Sequence, residues 1–168
     1  ICIVKSMVYV LCGGVNPSRL LPIKIDVGTD NEQLLNDPMY LGWRHPRISG
    51  KEYDDMVERV VLAIQRKLPQ AYLHWEDFGR ENARRNLERY HQQMCTFNDD
   101  MQGTGAVTLV ALLSAITRTK VPLTEQRIVI VGAGTAGTGI ADQLCAAMRR
   151  EGLSQQEALS RFYLVGRH

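Results

Sequence analysis

The chain has 168 residues, of which 45% are hydrophobic and 23% charged, and its net charge is +2. That length suits one domain or parts of two, and the composition is that of a globular protein. The charge is too small to argue for nucleic acid or an anionic membrane surface as partner, and no apolar run reaches the roughly 18 to 20 residues that a membrane-spanning helix needs.

In chain order, the run Ile3 to Leu11, ending at Gly13-Gly14, predicts a buried strand. Leu21 to Val27, ending in the turn residues GTDN, predicts a second. Glu52 to Lys67 follows as a helix: Ser49 and Glu52 have capping-box spacing, and Tyr53, Met56, Val57, Val60, Val61 and Ile64 recur on one face. Ala71 to Trp75 is a strand ending in EDFG, and Asn82 to Gln93 a helix. Met94 to Phe97 is a short strand ending in NDD, and Thr104 to Arg118 a long helix. A turn with Pro122 leads into the strand of RIVIVGAGTAG, whose helix runs to about Arg150 and stops at Gly152. Its inward face is Ile140, Leu144, Cys145 and Met148. Ser154 and Glu157 cap a short helix, and Phe162 to Val165 is the last strand. Strands alternating with helices predict an α/β fold built on a parallel sheet. Both ends read as cut, because the chain opens inside an apolar run and stops just after a strand.

The four cysteines, Cys2, Cys12, Cys95 and Cys145, form no CxxC pair and no metal spacing with the histidines. Each sits among apolar residues and reads as a small core residue, which suits a reducing, cytoplasmic setting.

Two acidic pairs stand at strand ends. Glu76-Asp77 follow one strand, and Asp99-Asp100 follow the next. In a βαβ unit both ends face the same way, and ligands of such sheets bind outside those ends. Converging carboxylates need a cation to offset their repulsion, and an all-oxygen set favours Mg²⁺ or Mn²⁺. Two solvated loops remain the alternative. Gly132, Gly134 and Gly137 have G-x-G-x-x-G spacing between a strand and a helix, the context in which that motif binds a dinucleotide. Gly132 permits the turn, Gly134 admits the pyrophosphate, and Gly137 lets helix pack on strand. The acidic residue that holds the ribose in such units is replaced by Gly166, followed by Arg167. Either adenosine-ribose binding is weakened, or an Arg near the 2′ position favours NADP. Lys5, inside an apolar run, is either a snorkelling lysine or a base with a lowered pKa.

The motifs LPIKIDVGTDNEQLLNDPMYLGWRHPR, WEDFGRENA, TFNDDMQGTGAV and IVIVGAGTAGTGIA together resemble malic enzyme, particularly the bacterial NAD-linked type, over essentially the whole chain. The resemblance implies oxidative decarboxylation of L-malate to pyruvate and CO₂, with NAD(P)⁺ and Mg²⁺ or Mn²⁺. It implies Glu76, Asp77 and Asp100 as metal ligands, Lys5 as catalytic base with Asp99 beside it, and Gly132, Gly134, Thr135, Ala136 and Gly137 at the cofactor. It divides the chain into a substrate and metal domain, 1–98, and the first part of a Rossmann-type NAD(P)-binding domain, 99–168. It implies a homo-oligomer, dimer or tetramer, in the cytoplasm, or in mitochondria in a eukaryote. The family's proton-donating tyrosine and malate-binding arginine lie upstream of this stretch, and its substrate-binding asparagines lie downstream. Val4 and Ser6 stand where the family has Gly and Leu around the lysine, and Gly166 where it has Asp. These departures keep a second reading open, a non-catalytic nucleotide-binding remnant. A metal-free amino acid dehydrogenase of similar plan is disfavoured by the acidic cluster.

Overall fold

The computed structural model describes residues 2 to 166. Arg167, the residue weighed for a 2′-phosphate, lies outside them. The backbone divides into two compact units after Ala63.

The first unit opens with a helix, α1 (Cys2–Leu11), where a strand was expected. Apart from Lys5 and Ser6 its residues are all apolar or aromatic, so the run carries little period of its own. The spacing of the half-buried positions resolves it. Cys2, Lys5, Ser6, Tyr9 and Val10 lie on one helical face, while Ile3, Val4, Met7, Val8 and Leu11 are exposed. The Ser6 hydroxyl donates to the Cys2 carbonyl one turn back, at 2.9 Å. The helix closes through Cys12 and Gly13, whose N–H groups both donate to the Val8 carbonyl.

The second expected strand, 21–27, is irregular chain without a ladder. Pro22 removes one donor. Loop contacts hold the segment instead: the Ile48 N–H donates to the Val27 carbonyl, and the Thr29 N–H to that of His45, both at 2.9 Å. Asp26 staples the same region, accepting from the N–H groups of Trp43 at 2.7 Å and Gly28 at 3.0 Å. These bonds hold its carboxyl below the ordinary value of 3.8, the Trp43 bond contributing most. A short helix, α2 (Glu32–Asn36), is capped by the Asn31 side chain. The long helix α3 (Gly50–Lys67) spans the division between the units. The expected face of Tyr53, Val57, Val61 and Ile64 is buried.

The second unit contains two parallel two-stranded sheets. In the first, β1 (Leu73–Trp75) and β2 (Thr96–Asn98) are joined through α4 (Arg80–Tyr90). Their register pairs Leu73 with Thr96, His74 with Phe97 and Trp75 with Asn98. A π-type turn, Asp99–Gly103, leads from β2 into α5 (Thr104–Thr119). In the second sheet, β3 (Ile128–Val131) pairs with β4 (Phe162–Val165). Between them run α6 (Thr135–Arg150) and α7 (Gln155–Leu159). The core of this half is Leu123, Cys145, Met148 and Ala158, with Ile128 and Phe162 from the sheet packed against it. Thus the predicted inward face of α6 is the buried one. The expected capping box is present: Glu157 N–H donates to the Ser154 hydroxyl, and Ser154 N–H to the Glu157 carboxylate. The architecture is α/β, as the alternation predicts. Among the described residues no helix is long and apolar enough to cross a membrane.

Candidate functional site

The acidic end of the site follows from strand register. Because Trp75 stands opposite Asn98, the residues that follow them, Glu76-Asp77 and Asp99-Asp100, leave the sheet side by side. The pairs meet through one direct bond, from the Asp77 N–H to Asp100 Oδ2 at 2.8 Å. Asp77 takes a left-handed backbone, with φ of 65°, an uncommon conformation that a short polar side chain tolerates best. His74 completes the group. Its Nε2 lies 3.5 Å from Glu76 Oε2 and 3.6 Å from Asp99 Oδ2. One donor atom from each of His74, Glu76 and Asp99 falls within 4.8 Å of the others. This set of carboxylates with an imidazole suits a divalent cation by its chemistry.

A buried clamp shapes the turn that carries Asp99 and Asp100. Asn98 is wholly buried. Its Oδ1 accepts from the Met101 N–H at 3.0 Å, and its own N–H donates to Gln102 Oε1 at 2.9 Å. The Asn98 side chain thus holds the Met101 backbone while the Gln102 side chain holds the Asn98 backbone, a clamp across the two aspartates related to a capping box. π-type turns of this kind concentrate at functional sites.

The second half of the site is the Gly-rich turn after β3. Gly132 has φ of +115°, a region that favours glycine. A methyl on Gly137 would stand 1.9 Å from the Gly132 carbonyl oxygen, so only glycine lets α6 start this close to the turn. A methyl on Gly134 meets nothing within 4 Å. Gly134 is therefore the point where the turn lies open. It caps α6, whose first N–H groups face an anion-attracting end. A cleft of about 630 Å³ opens there, lined by Arg80, Val131, Gly132, Ala133, Gly134, Val165 and Gly166.

Two bonds tie the acidic half to the Gly-rich half. Arg80 Nη1 donates to the Ala133 carbonyl at 2.8 Å, and the Thr135 hydroxyl to the Phe78 carbonyl at 3.3 Å. Both Phe78 and Arg80 belong to the segment that follows Glu76-Asp77.

The same order of motifs appears in known proteins. Residues 1–91 match the family model "Malic enzyme, N-terminal domain" and residues 101–168 match "Malic enzyme, NAD binding domain". The chain belongs to the malic enzyme family. It is 51% identical to "NAD-dependent malic enzyme 3" of Bacillus subtilis over all of its own length and 30% of that protein. It is 52% identical to "NAD-dependent malic enzyme 2" of Photobacterium profundum and 50% identical to "NAD-dependent malic enzyme" of Erwinia tasmaniensis, each over 97% of this chain and 29% of the relative. The chain thus spans about 30% of the length of the curated relatives it matches.

Against this malic enzyme frame, the structure brings together Glu76 and Asp99, joins Asp77 to Asp100, and gathers Gly132, Gly134, Thr135, Ala136 and Gly137 at the mouth of one helix. Lys5 lies on the half-buried face of α1, in the other compact unit. Sequence reading missed His74 and Arg80. His74 is two residues before Glu76, so strand alternation turns it to the same side, and that period was the available signal. Arg80, the first residue of α4, carries no motif of its own; only the fold puts it beside Ala133.

Proposed function

We propose that this chain carries the cation-binding and first cofactor-binding portions of an enzyme that oxidatively decarboxylates L-malate to pyruvate and CO₂ with NAD⁺. One observation supports the reading above the rest: Asp77 and Asp100 are bonded across two in-register strand ends, in the same compact unit as the Gly-rich turn. The similarity to NAD-dependent malic enzymes favours NAD as the cofactor. On this reading residues 1–98 serve substrate and metal, and residues 99–168 begin the dinucleotide domain. The complete protein would be a cytoplasmic homo-oligomer.

Each residue then has a task. Glu76, Asp77 and Asp100 hold Mg²⁺ or Mn²⁺. Asn98 and Gln102 fix the turn that presents Asp100. The N–H groups at Gly134, Thr135 and Ala136 receive the dinucleotide diphosphate, aided by the dipole of α6. When bound, the cation supplies Lewis acidity toward the malate oxygens and the dinucleotide accepts a hydride. Lys5 would take the proton of the malate C2 hydroxyl at Nζ.

Val4, Ser6 and Gly166 favour a second reading, a remnant that binds nucleotide without turnover. A Mn²⁺ titration of this chain beside Asp100→Ala, with circular dichroism on both, separates the two. Binding that the variant loses supports the cation site. Equal binding, or none in a folded chain, sinks it and favours the remnant.

A further inference from the structure

We infer that Arg80 is a ligand of the dinucleotide diphosphate in this chain, a side-chain contact supplied from outside the glycine motif. The inference rests on the cofactor half of the reading above and adds a residue to it.

Three observations carry it. First, Arg80 is held against the turn. Its Nη1 donates to the Ala133 carbonyl at 2.8 Å, in the middle of the glycine turn. That bond uses one of the five guanidinium donors, and the others remain on a planar fork suited to phosphate oxygens. Second, Arg80 has the one polar side chain among the described residues that line the cleft of about 630 Å³; the rest are glycines, Ala133, Val131 and Val165. Third, local stability does not account for a cation here. Arg80 opens α4, and the field of a helix disfavours positive charge at that end. Glu81 is its neighbour in sequence, and adjacent residues do not face each other on a helix. Arg84, one turn further, is paired with Asp142 and Glu88, whereas Arg80 forms no ion pair among the described residues.

The Thr135 hydroxyl bonds the Phe78 carbonyl at 3.3 Å, so the amino ends of α4 and α6 come together at the cleft. Two helix ends and a guanidinium then place positive potential on one opening, with no acidic side chain in its lining. An anion relieves that arrangement. The glycine turn selects a diphosphate, because Gly134 leaves the backbone open to close approach. Oxygens set between the N–H groups of the turn and the Arg80 fork make charge-assisted bonds on both sides.

The test uses the chain as it stands, with ADP-ribose and adenosine as probes, against Arg80→Gln and Arg80→Lys, all checked for folding by circular dichroism. A hydrogen bond to a charged group is worth roughly 10- to 100-fold in affinity, so Arg80→Gln should lose ADP-ribose by at least about tenfold while adenosine binding is unchanged. Arg80→Lys, which keeps the charge without the fork, should fall between. Raising ionic strength from about 0.05 to about 0.5 M should weaken ADP-ribose binding to the unmutated chain more than to Arg80→Gln. In the unmutated chain the Arg80 Nε–H signal in NMR, identified as the one missing from Arg80→Lys, should move with ADP-ribose and stay with adenosine, a readout that survives if Arg80→Gln does not fold. Equal loss of both probes in folded Arg80→Gln shows that Arg80 only pins the turn and overturns the inference, as does an unchanged ADP-ribose affinity or an Arg80 signal that moves with L-malate alone. In those cases the glycine turn keeps its cofactor role. A folded chain that binds neither probe overturns both the inference and the cofactor half of the reading.

Discussion

Gly139 gives the sharpest stability prediction. It is buried in α6, where the helix meets the turn that carries Asp99 and Asp100. A methyl group on Gly139 would stand 2.6 Å from both the Cα and the carbonyl oxygen of Met101. Carbon contacts are comfortable at about 3.5 to 4.0 Å, so helix and turn must separate by roughly 1 Å. The obstructing atoms are backbone, and no rotamer change relieves them. Overpacking of this kind costs about 1 to 3 kcal/mol, and the upper end applies where backbone must move. Replacing glycine by alanine within a helix returns about 1 kcal/mol. The net for Gly139→Ala is a loss of about 2 kcal/mol, which lowers the melting temperature of a unit this size by roughly 8 to 16 °C. Thermal unfolding followed by circular dichroism at 222 nm measures it. Mn²⁺ affinity should fall as well, because Met101 directly follows Asp100. A melting temperature equal to or above that of the unmutated chain would refute the close approach of α6 to the acidic turn.

Asn98→Ala removes the acceptor for the Met101 N–H inside the protein, and an unsatisfied buried donor costs about 1 to 3 kcal/mol; urea midpoints should drop accordingly, and an unchanged midpoint would contradict the clamp. Gly134→Val places its side chain where a methyl meets nothing. Folding should be nearly unaffected while NADH binding, read by fluorescence, falls at least tenfold; tight binding by the variant would remove Gly134 from the diphosphate site. Asp26 supplies a pH prediction. Its folded pKa is depressed, so its contribution is complete above the ordinary value of 3.8 and is lost as pH falls through the lower folded value. Urea midpoints between pH 2 and 6 should therefore flatten at the acid end in Asp26→Asn, and an acid limb identical to that of the unmutated chain would show that the Trp43 and Gly28 bonds contribute nothing.

The parts that sequence reading recovered are those with local causes. A strand, a glycine turn and a helix follow one another at 128–150 because β-branched residues, positive φ and helical spacing all act within a few residues. The face of α3 and the Ser154 cap are legible for the same reason. What failed depended on partners distant in sequence. The apolar run of α1 suits strand or helix equally, and only the packing of Cys2, Lys5, Ser6, Tyr9 and Val10 on one side selects the helix. The segment 21–27 has strand composition, but its Val27 carbonyl bonds to Ile48 and its Asp26 carboxylate to Trp43 instead. The acidic pairs were visible as strand-end residues, whereas His74 gains its meaning from Phe97, its register partner 23 positions later in the chain.

The segment from Phe78 to Arg80 leaves the acidic strand end and touches the glycine turn twice, through Thr135 and through Ala133. On the proposed reading it would link the two binding events. Whatever stiffens one end restricts the other, so part of the ordering cost is met before the second ligand arrives. A cation held after β1 should then raise the affinity for a dinucleotide at α6, and the dinucleotide must raise that for the cation by the same factor. On that reading occupancy at the two ends would be cooperative through Phe78, Gly79 and Arg80.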